Sequence, residues 1–232
     1  MSKPKLIVLH GALGSAKQLQ PLCNKLEATF DIYTFDFSGH GGRVFDTEFT
    51  INQFASELKG FISENNLQGT DVFGYSMGGY VALKLVETES NLLGKIHTLG
   101  TKFAWSPETA AKEVKMLNPE KIEEKVPAFA KALADRHAPN DWREVLNKTK
   151  DMMLGLGEQP ALTTQDINTI TNSVIIGIGS DDHMVSIEES QHVAQQLPNG
   201  KLKIFEGFKH PIEQVDYNVL SEELINYFKS TH

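Results

Sequence analysis

The stretch DVFGYSMGGYVALKL (71–85) sets an apolar run of strand length against an apolar helical pattern and crowds Gly74, Ser76, Gly78 and Gly79 into the junction. Glycine weakens both strands and helices, so a cluster of glycines marks a place where backbone passes close to backbone. Residues 70–75 lack polar alternation, as expected of a strand covered on both faces, and MGGYVALKLVE continues as a helix. Ser76 therefore stands at a strand–helix corner within the pattern G-x-S-x-G, Gly74-Tyr75-Ser76-Met77-Gly78. A serine held there projects its hydroxyl above the sheet edge, where the N–H groups of the following helix favour negative charge. The bare pattern is short enough to arise by chance, and a glycine-rich turn of any doubly wound protein accounts for it without chemistry. Deciding between a turn residue and a nucleophile requires the rest of the chain.

Outward from this corner, apolar runs recur at 5–9, 31–35, 94–99, 172–178 and 201–205, separated by helix-like segments near 16–28, 50–65, 77–88, 187–197 and 212–229. Such alternation predicts an α/β fold with a mostly parallel sheet of about six strands flanked by helices, joined by right-handed crossovers. One interval departs from the rhythm. SPETAAKEVKML, NPEKIEEKVPAFAKALADRH and DWREVLNKTKDMMLGL read as three helices with Ser-Pro, Asn-Pro and Asn-Asp starts. Residues 105–165 are thus expected to form a helical insertion on a core made of 1–104 and 166–232, within one structural domain. Their Glu and Lys residues fall largely at i,i+3 and i,i+4 spacings, which suits a solvated helix face better than an anion site.

Composition narrows the function classes. With 232 residues, 40% hydrophobic and 22% charged, the chain has the material for a full core. Twenty-two basic against 30 acidic residues leave a net charge of −8, which opposes binding to nucleic acid or anionic membranes. No apolar stretch approaches the ~18 residues of a membrane span, and the run in MSKPKLIVLHG is too short for a signal peptide. The lone Cys23 lies in an apolar helical stretch, reads as a small buried hydrophobe, and suits a cytoplasmic location. Nothing in the sequence sets an oligomeric state.

A serine hydroxyl is a poor nucleophile unless a base takes its proton and a carboxylate orients the base. SVIIGIGSDDHMVS ends a strand at Asp181 and Asp182, and KLKIFEGFKHPIEQVD ends the last strand at His210. All lie beyond C-terminal strand ends, where open α/β sheets collect ligands. Of the eight histidines only His210 lies in the loop directly after the last strand, where the base belongs. His10 and His40 read as loop-structuring residues, His97 as a strand residue, and His137, His183, His192 and His232 carry no constellation. The DDH cluster lacks a second group of ligands, so no metal is expected, and no cofactor.

The motifs HGALGS, DFSGHG, GYSMGG, GSDDHMV and FKHP, in this order, resemble those of the α/β-hydrolase family over essentially the whole chain. The resemblance implies a Ser76–Asp182–His210 triad, because the family pattern G-x-x-D-x-x-V falls on Gly179, Asp182 and Val185; Asp181 is the fallback. It also implies an oxyanion hole built from the backbone N–H groups of Met77 and Ala12, and a sheet lacking the family's first two strands. Serine at the nucleophile position argues against the epoxide hydrolases and haloalkane dehalogenases of this fold, which need Asp there. The expected reaction is hydrolysis of a small-molecule carboxylic ester or thioester. Phe103, Trp105 and Trp142, with Met116, Phe129, Met152 and Met153, either wall an acyl pocket or pack the insertion's own core. Two other readings stay open: a carbon–carbon hydrolase or menaquinone-pathway lyase using the same triad, and a non-catalytic small-molecule binder. Substrates of the former carry carboxylates, and the chain's arginines, Arg43, Arg136 and Arg143, are tied to the site by no motif.

Overall fold

A computed structural model describes residues 2–230; His232 lies outside them. The elements run β1 (Lys5–Leu9), α1 (Gln20–Leu26), β2 (Asp31–Tyr33), α2 (Ile51–Glu64), β3 (Thr70–Tyr75), α3 (Met77–Thr88) and β4 (Leu93–Leu99). Five helices follow: α4 (Pro107–Glu113), α5 (Pro119–Lys125), α6 (Pro127–His137), α7 (Trp142–Glu158) and α8 (Thr164–Thr169). The chain then returns through β5 (Val174–Gly179), α9 (Ile187–Gln196), β6 (Gly200–Phe205) and α10 (Tyr217–Lys229). Among the described residues the six strands form one sheet in the order β2-β1-β3-β4-β5-β6, every neighbouring pair parallel.

The sheet is buried from both sides, which is why its strands read as near-continuous apolar runs. Side chains alternate across the pleat. Leu6 and Val8 join Leu19, Leu22 and Cys23 beside α1 and Leu220, Leu224 and Phe228 of α10. Ile7 and Leu9 face the opposite way, into a core with Phe54 and Leu58 of α2, Val81 and Leu85 of α3, and Val193 of α9. Cys23 is the small buried hydrophobe expected, and desolvation pushes its thiol up to about 11.

Between β4 and β5 the three expected helices are five. Pro127 lacks a backbone donor and ends α5 at Lys125, so one long helical pattern becomes α5 and α6. α8 extends past residue 165 and begins at a reciprocal cap, in which Thr163 and Asp166 bond each other's backbone N–H. β2 stops at Tyr33, short of Phe35, and pairs only with Lys5–Ile7 of β1.

The order of strands positions everything that follows. β1 lies between β2 and β3, so successive connections leave it toward opposite sides and open a crevice at the C-terminal ends of β1 and β3. Leu9 is in register with Gly74, which brings the loop after Leu9 beside Ser76.

Candidate active site

Ser76 is the N-cap of α3 and holds φ 49° and ψ −116°, a left-handed conformation that side chains other than glycine rarely adopt. Its own N–H donates to Leu99 O of the neighbouring strand at 2.8 Å, and Thr101 donates its hydroxyl to Ser76 O at 2.9 Å. Those bonds hold the backbone in the turn. Gly78 is needed on the other side: a Cβ there would sit 2.7 Å from Leu9 O and 2.8 Å from His10 O.

Asp182 and His210 reach Ser76 from loops two and three strands away, after β5 and β6. Nε2 of His210 lies 3.4 Å from Ser76 Oγ, and Nδ1 donates to Asp182 Oδ2 at 2.8 Å. The other carboxylate oxygen, Oδ1, accepts from the N–H groups of Met184 at 2.8 Å and Val185 at 2.9 Å. Burial opposes charge on Asp182, but these hydrogen bonds and the attraction of His210 outweigh it and hold its pKa below the ordinary 3.8. Asp181 is exposed, and its side chain accepts from the hydroxyl of Ser180 at 3.3 Å. Gly100, at φ 64°, leaves room for the pair, since a Cβ there would come within 3.3 Å of both Asp182 Oδ2 and His210 Nδ1. Tyr75 donates its buried hydroxyl to His210 O at 2.9 Å.

The loop after β1 closes a tight turn with Gly14 N–H donating to Gly11 O at 3.0 Å. His10 braces it from beneath: Nδ1 meets Gly11 O at 2.8 Å and Nε2 accepts from Phe37 N–H at 3.2 Å. Burial pulls the His10 pKa down to about 4, so the ring is neutral at pH 7. Ala12 and Met77 line one cavity with Ser76 and His210.

That cavity, about 50 Å³, is walled mainly by Ile51, Tyr80, Met152, Met153, Leu156 and Met184. Its polar rim is Lys102 and Glu113, 3.6 Å apart, and Lys102 also lies 3.9 Å from Glu189.

The family model described as serine aminopeptidase, S33, matches residues 2–214. The chain belongs to this family. It is a hydrolase on the α/β-hydrolase fold. Over 98% of the chain and 94% of the relative, it is 23% identical to "Putative carbamate hydrolase RutD" of Pseudomonas savastanoi pv. phaseolicola. Among solved structures, 2-hydroxy-6-oxo-6-phenylhexa-2,4-dienoate hydrolase of a Rhodococcus strain superposes with a TM-score of 0.80 at 18% identity, covering 98% of this chain and 91% of that one. An esterase from Exiguobacterium antarcticum gives 0.77 at 19%, covering 99% and 93%. At such identities the structural likeness speaks for the fold alone.

In this S33-family hydrolase the three aromatic residues expected to bind substrate part company. Trp105 lines the cavity. Phe103 is not among the lining residues; its ring meets Tyr80 edge-on, 5.8 Å between centroids. Trp142 is also absent from the cavity and packs against Ile122, Leu133 and Leu146 in the insertion's own core. Both start or precede helices whose tertiary placement local pattern does not reveal. Met152 and Met153 reach the cavity, while Met116 and Phe129 face solvent. Tyr80, Lys102 and Glu113 escaped the sequence reading; for Tyr80 the only signal was its place one turn beyond Ser76 on α3. Among the described residues no cluster of His, Cys, Asp and Glu is arranged to hold a metal, and no helix is long and apolar enough to cross a membrane.

Proposed function

We propose that this chain cleaves carboxylic esters or thioesters of small molecules through an acyl-enzyme on Ser76. The observation that carries the reading is the hydrogen-bonded series Asp182–His210–Ser76, with the serine held at φ 49° over the crevice. His210 takes the Ser76 proton through Nε2 as Oγ attacks the carbonyl carbon, and Asp182 stabilises the imidazolium. The N–H groups of Ala12 and Met77 receive the oxyanion. Collapse of the tetrahedral adduct expels the alcohol or thiol, which leaves with the proton from His210. Water, activated by the same imidazole, then releases the acid and restores Ser76. The 3.4 Å separation of Oγ and Nε2 is at the long limit of a hydrogen bond, as is common before substrate draws the two together.

The inserted helices act as a cap that walls the acyl site. A dry apolar cavity of ~150 Å³ holds benzene, so one of about 50 Å³ suits a short acyl group. The cation at the rim favours this reading over a carbon–carbon hydrolase acting on a carboxylate. Lys102 is flanked by Glu113 and Glu189, leaving no net positive charge to receive an anion, and none of the three arginines lines the cavity. Carbamates react by the same acyl chemistry and belong in the substrate screen beside esters and thioesters. Net charge and the single buried thiol fit a cytoplasmic enzyme acting on small molecules and not on nucleic acid.

The test is intact mass after exposure to a fluorophosphonate. One adduct on the wild type and none on Ser76→Ala supports an activated Ser76; no adduct on folded wild-type protein rejects the serine-hydrolase reading and favours a binder. With an ester that turns over, Ser76→Ala should lower kcat by several orders of magnitude.

A further inference from the structure

The turn that carries Ala12 is held in an unfavourable shape. Leu13, its third residue, has φ 56°, at a position where a turn ordinarily calls for glycine. What opposes relaxation comes from α6, more than a hundred residues away in sequence. The carbonyl of Leu13 accepts two hydrogen bonds, from Arg136 Nη1 at 2.8 Å and from His137 Nε2 at 3.1 Å. His137 is fully buried, and its second nitrogen, Nδ1, accepts from Gly41 N–H at 3.2 Å, which fixes the tautomer that donates to Leu13. Arg136 reaches further with Nη2, 3.2 Å from Glu213 Oε1, three residues beyond His210. Glu213 in turn accepts from Gln18 Nε2 at 2.6 Å, on the far side of the same loop. Neither Arg136 nor His137 lines the cavity over Ser76.

On the serine-hydrolase reading above, we propose that Arg136 and His137 are positioning residues: they grip the Leu13 carbonyl so that the turn presents the Ala12 N–H to the substrate oxygen, and Arg136 ties that turn to the loop carrying His210. The grip acts on the transition state more than on substrate binding, because the oxyanion needs its donor within a narrow range and the ground-state carbonyl does not. Two bonds on one carbonyl, one from a guanidinium, oppose the tendency of a leucine to leave the left-handed region. The insertion thereby does more than wall the pocket; its docking on the core completes the donor pair.

The experiment compares wild type, Arg136→Met, Arg136→Lys and the double variant Arg136→Met with Leu13→Gly. It reads the second-order rate of fluorophosphonate labelling and kcat and KM on a p-nitrophenyl ester. Arg136→Met should lose about tenfold to a hundredfold in both labelling rate and kcat, the scale of a misplaced catalytic group, with KM changed less than about threefold. Arg136→Lys should recover part of the loss. Leu13→Gly should also recover part of it, because glycine holds φ 56° without help; a role confined to general stability predicts no such rescue. Labelling of Arg136→Met at the wild-type rate, with kcat unchanged, overturns the proposal. If the wild type itself fails to label, the serine-hydrolase reading is what has failed. Should Arg136→Met not fold, Arg136→Lys and His137→Gln carry the same comparison, and wild-type kcat in both is the overturning result.

Discussion

Tyr75 and His210 are joined by a hydrogen bond from the hydroxyl of the buried tyrosine to the histidine carbonyl, 2.9 Å long and partly buried. The residue before the nucleophile position thus holds the backbone that carries the proposed base, across an interval of 135 residues. Tyr75→Phe keeps the ring and leaves His210 O without that donor. A lost buried partner costs about 1–3 kcal/mol, and the imidazole gains freedom to drift from Oγ. The expected result is a lower unfolding midpoint together with a fall in kcat of about fivefold to twentyfold. Unchanged kcat would show that the bond serves folding only.

Two adjacent aspartates make a sharp comparison. Asp182 bonds His210 through one oxygen and two backbone N–H groups through the other, whereas Asp181 is exposed beside Ser180. Asp182→Asn should reduce kcat by roughly three to four orders of magnitude, because the amide favours the wrong imidazole tautomer. Asp181→Asn should stay within about twofold of wild type. Equal losses in the two variants would remove Asp182 from the role proposed for it.

The grouping of Ser76, Asp182 and His210 was readable because it depends on topology. Parallel strands buried on both faces leave continuous apolar runs, and their C-terminal ends gather along one edge of the sheet. The insertion was readable only as a composition of helices. Pro127 signals a break that local periodicity masks, and the Thr163–Asp166 cap is a short signal that starts α8. Trp142 and Phe103 show the harder limit: an aromatic residue announces burial, not which cavity or core it enters. His137 was invisible for a related reason. Its partners, Leu13 O and Gly41 N, are backbone atoms with no sequence signature, 124 and 96 residues distant.

Buried neutral histidines make the fold sensitive to mild acid. His10 and His137 are held at about 4 and His97 at about 3, and His40 lies well below its ordinary 6.5, in each case chiefly through desolvation. His10, His40 and His137 lie together, with Asp36, Arg43 and Arg136 as the charged groups around them. A depressed folded-state pKa means that the unfolded chain binds the proton first. The stability these rings contribute is therefore complete above 6.5 and is lost as pH falls from there toward the folded values. His10 alone accounts for on the order of 2 kcal/mol by pH 5. Asp182, depressed below 3.8, acts in the same direction only in stronger acid. Urea midpoints should hold steady from pH 8 to 7 and drop clearly by pH 5; a flat profile over that range contradicts the assignment of neutral buried rings.

Ile51, Met152 and Leu156 line the cavity over Ser76 and also an adjoining groove of about 710 Å³. These three side chains are therefore a partition, and Met152 is the member with the most adaptable shape. With the partition intact, p-nitrophenyl acetate and butyrate should be turned over far better than the octanoate. Met152→Ala opens the small cavity toward the groove. Each methylene that finds apolar contact is worth about 1–3 kcal/mol in discrimination, so the ratio of kcat/KM for octanoate over acetate should rise by about tenfold or more. The substitution also removes buried packing and should cost about 2–5 kcal/mol of stability, so the assays belong well below the variant's unfolding midpoint. A ratio that stays at the wild-type value in folded Met152→Ala would mean that the acyl chain leaves the site by another route, and that the wall seen here does not set chain length.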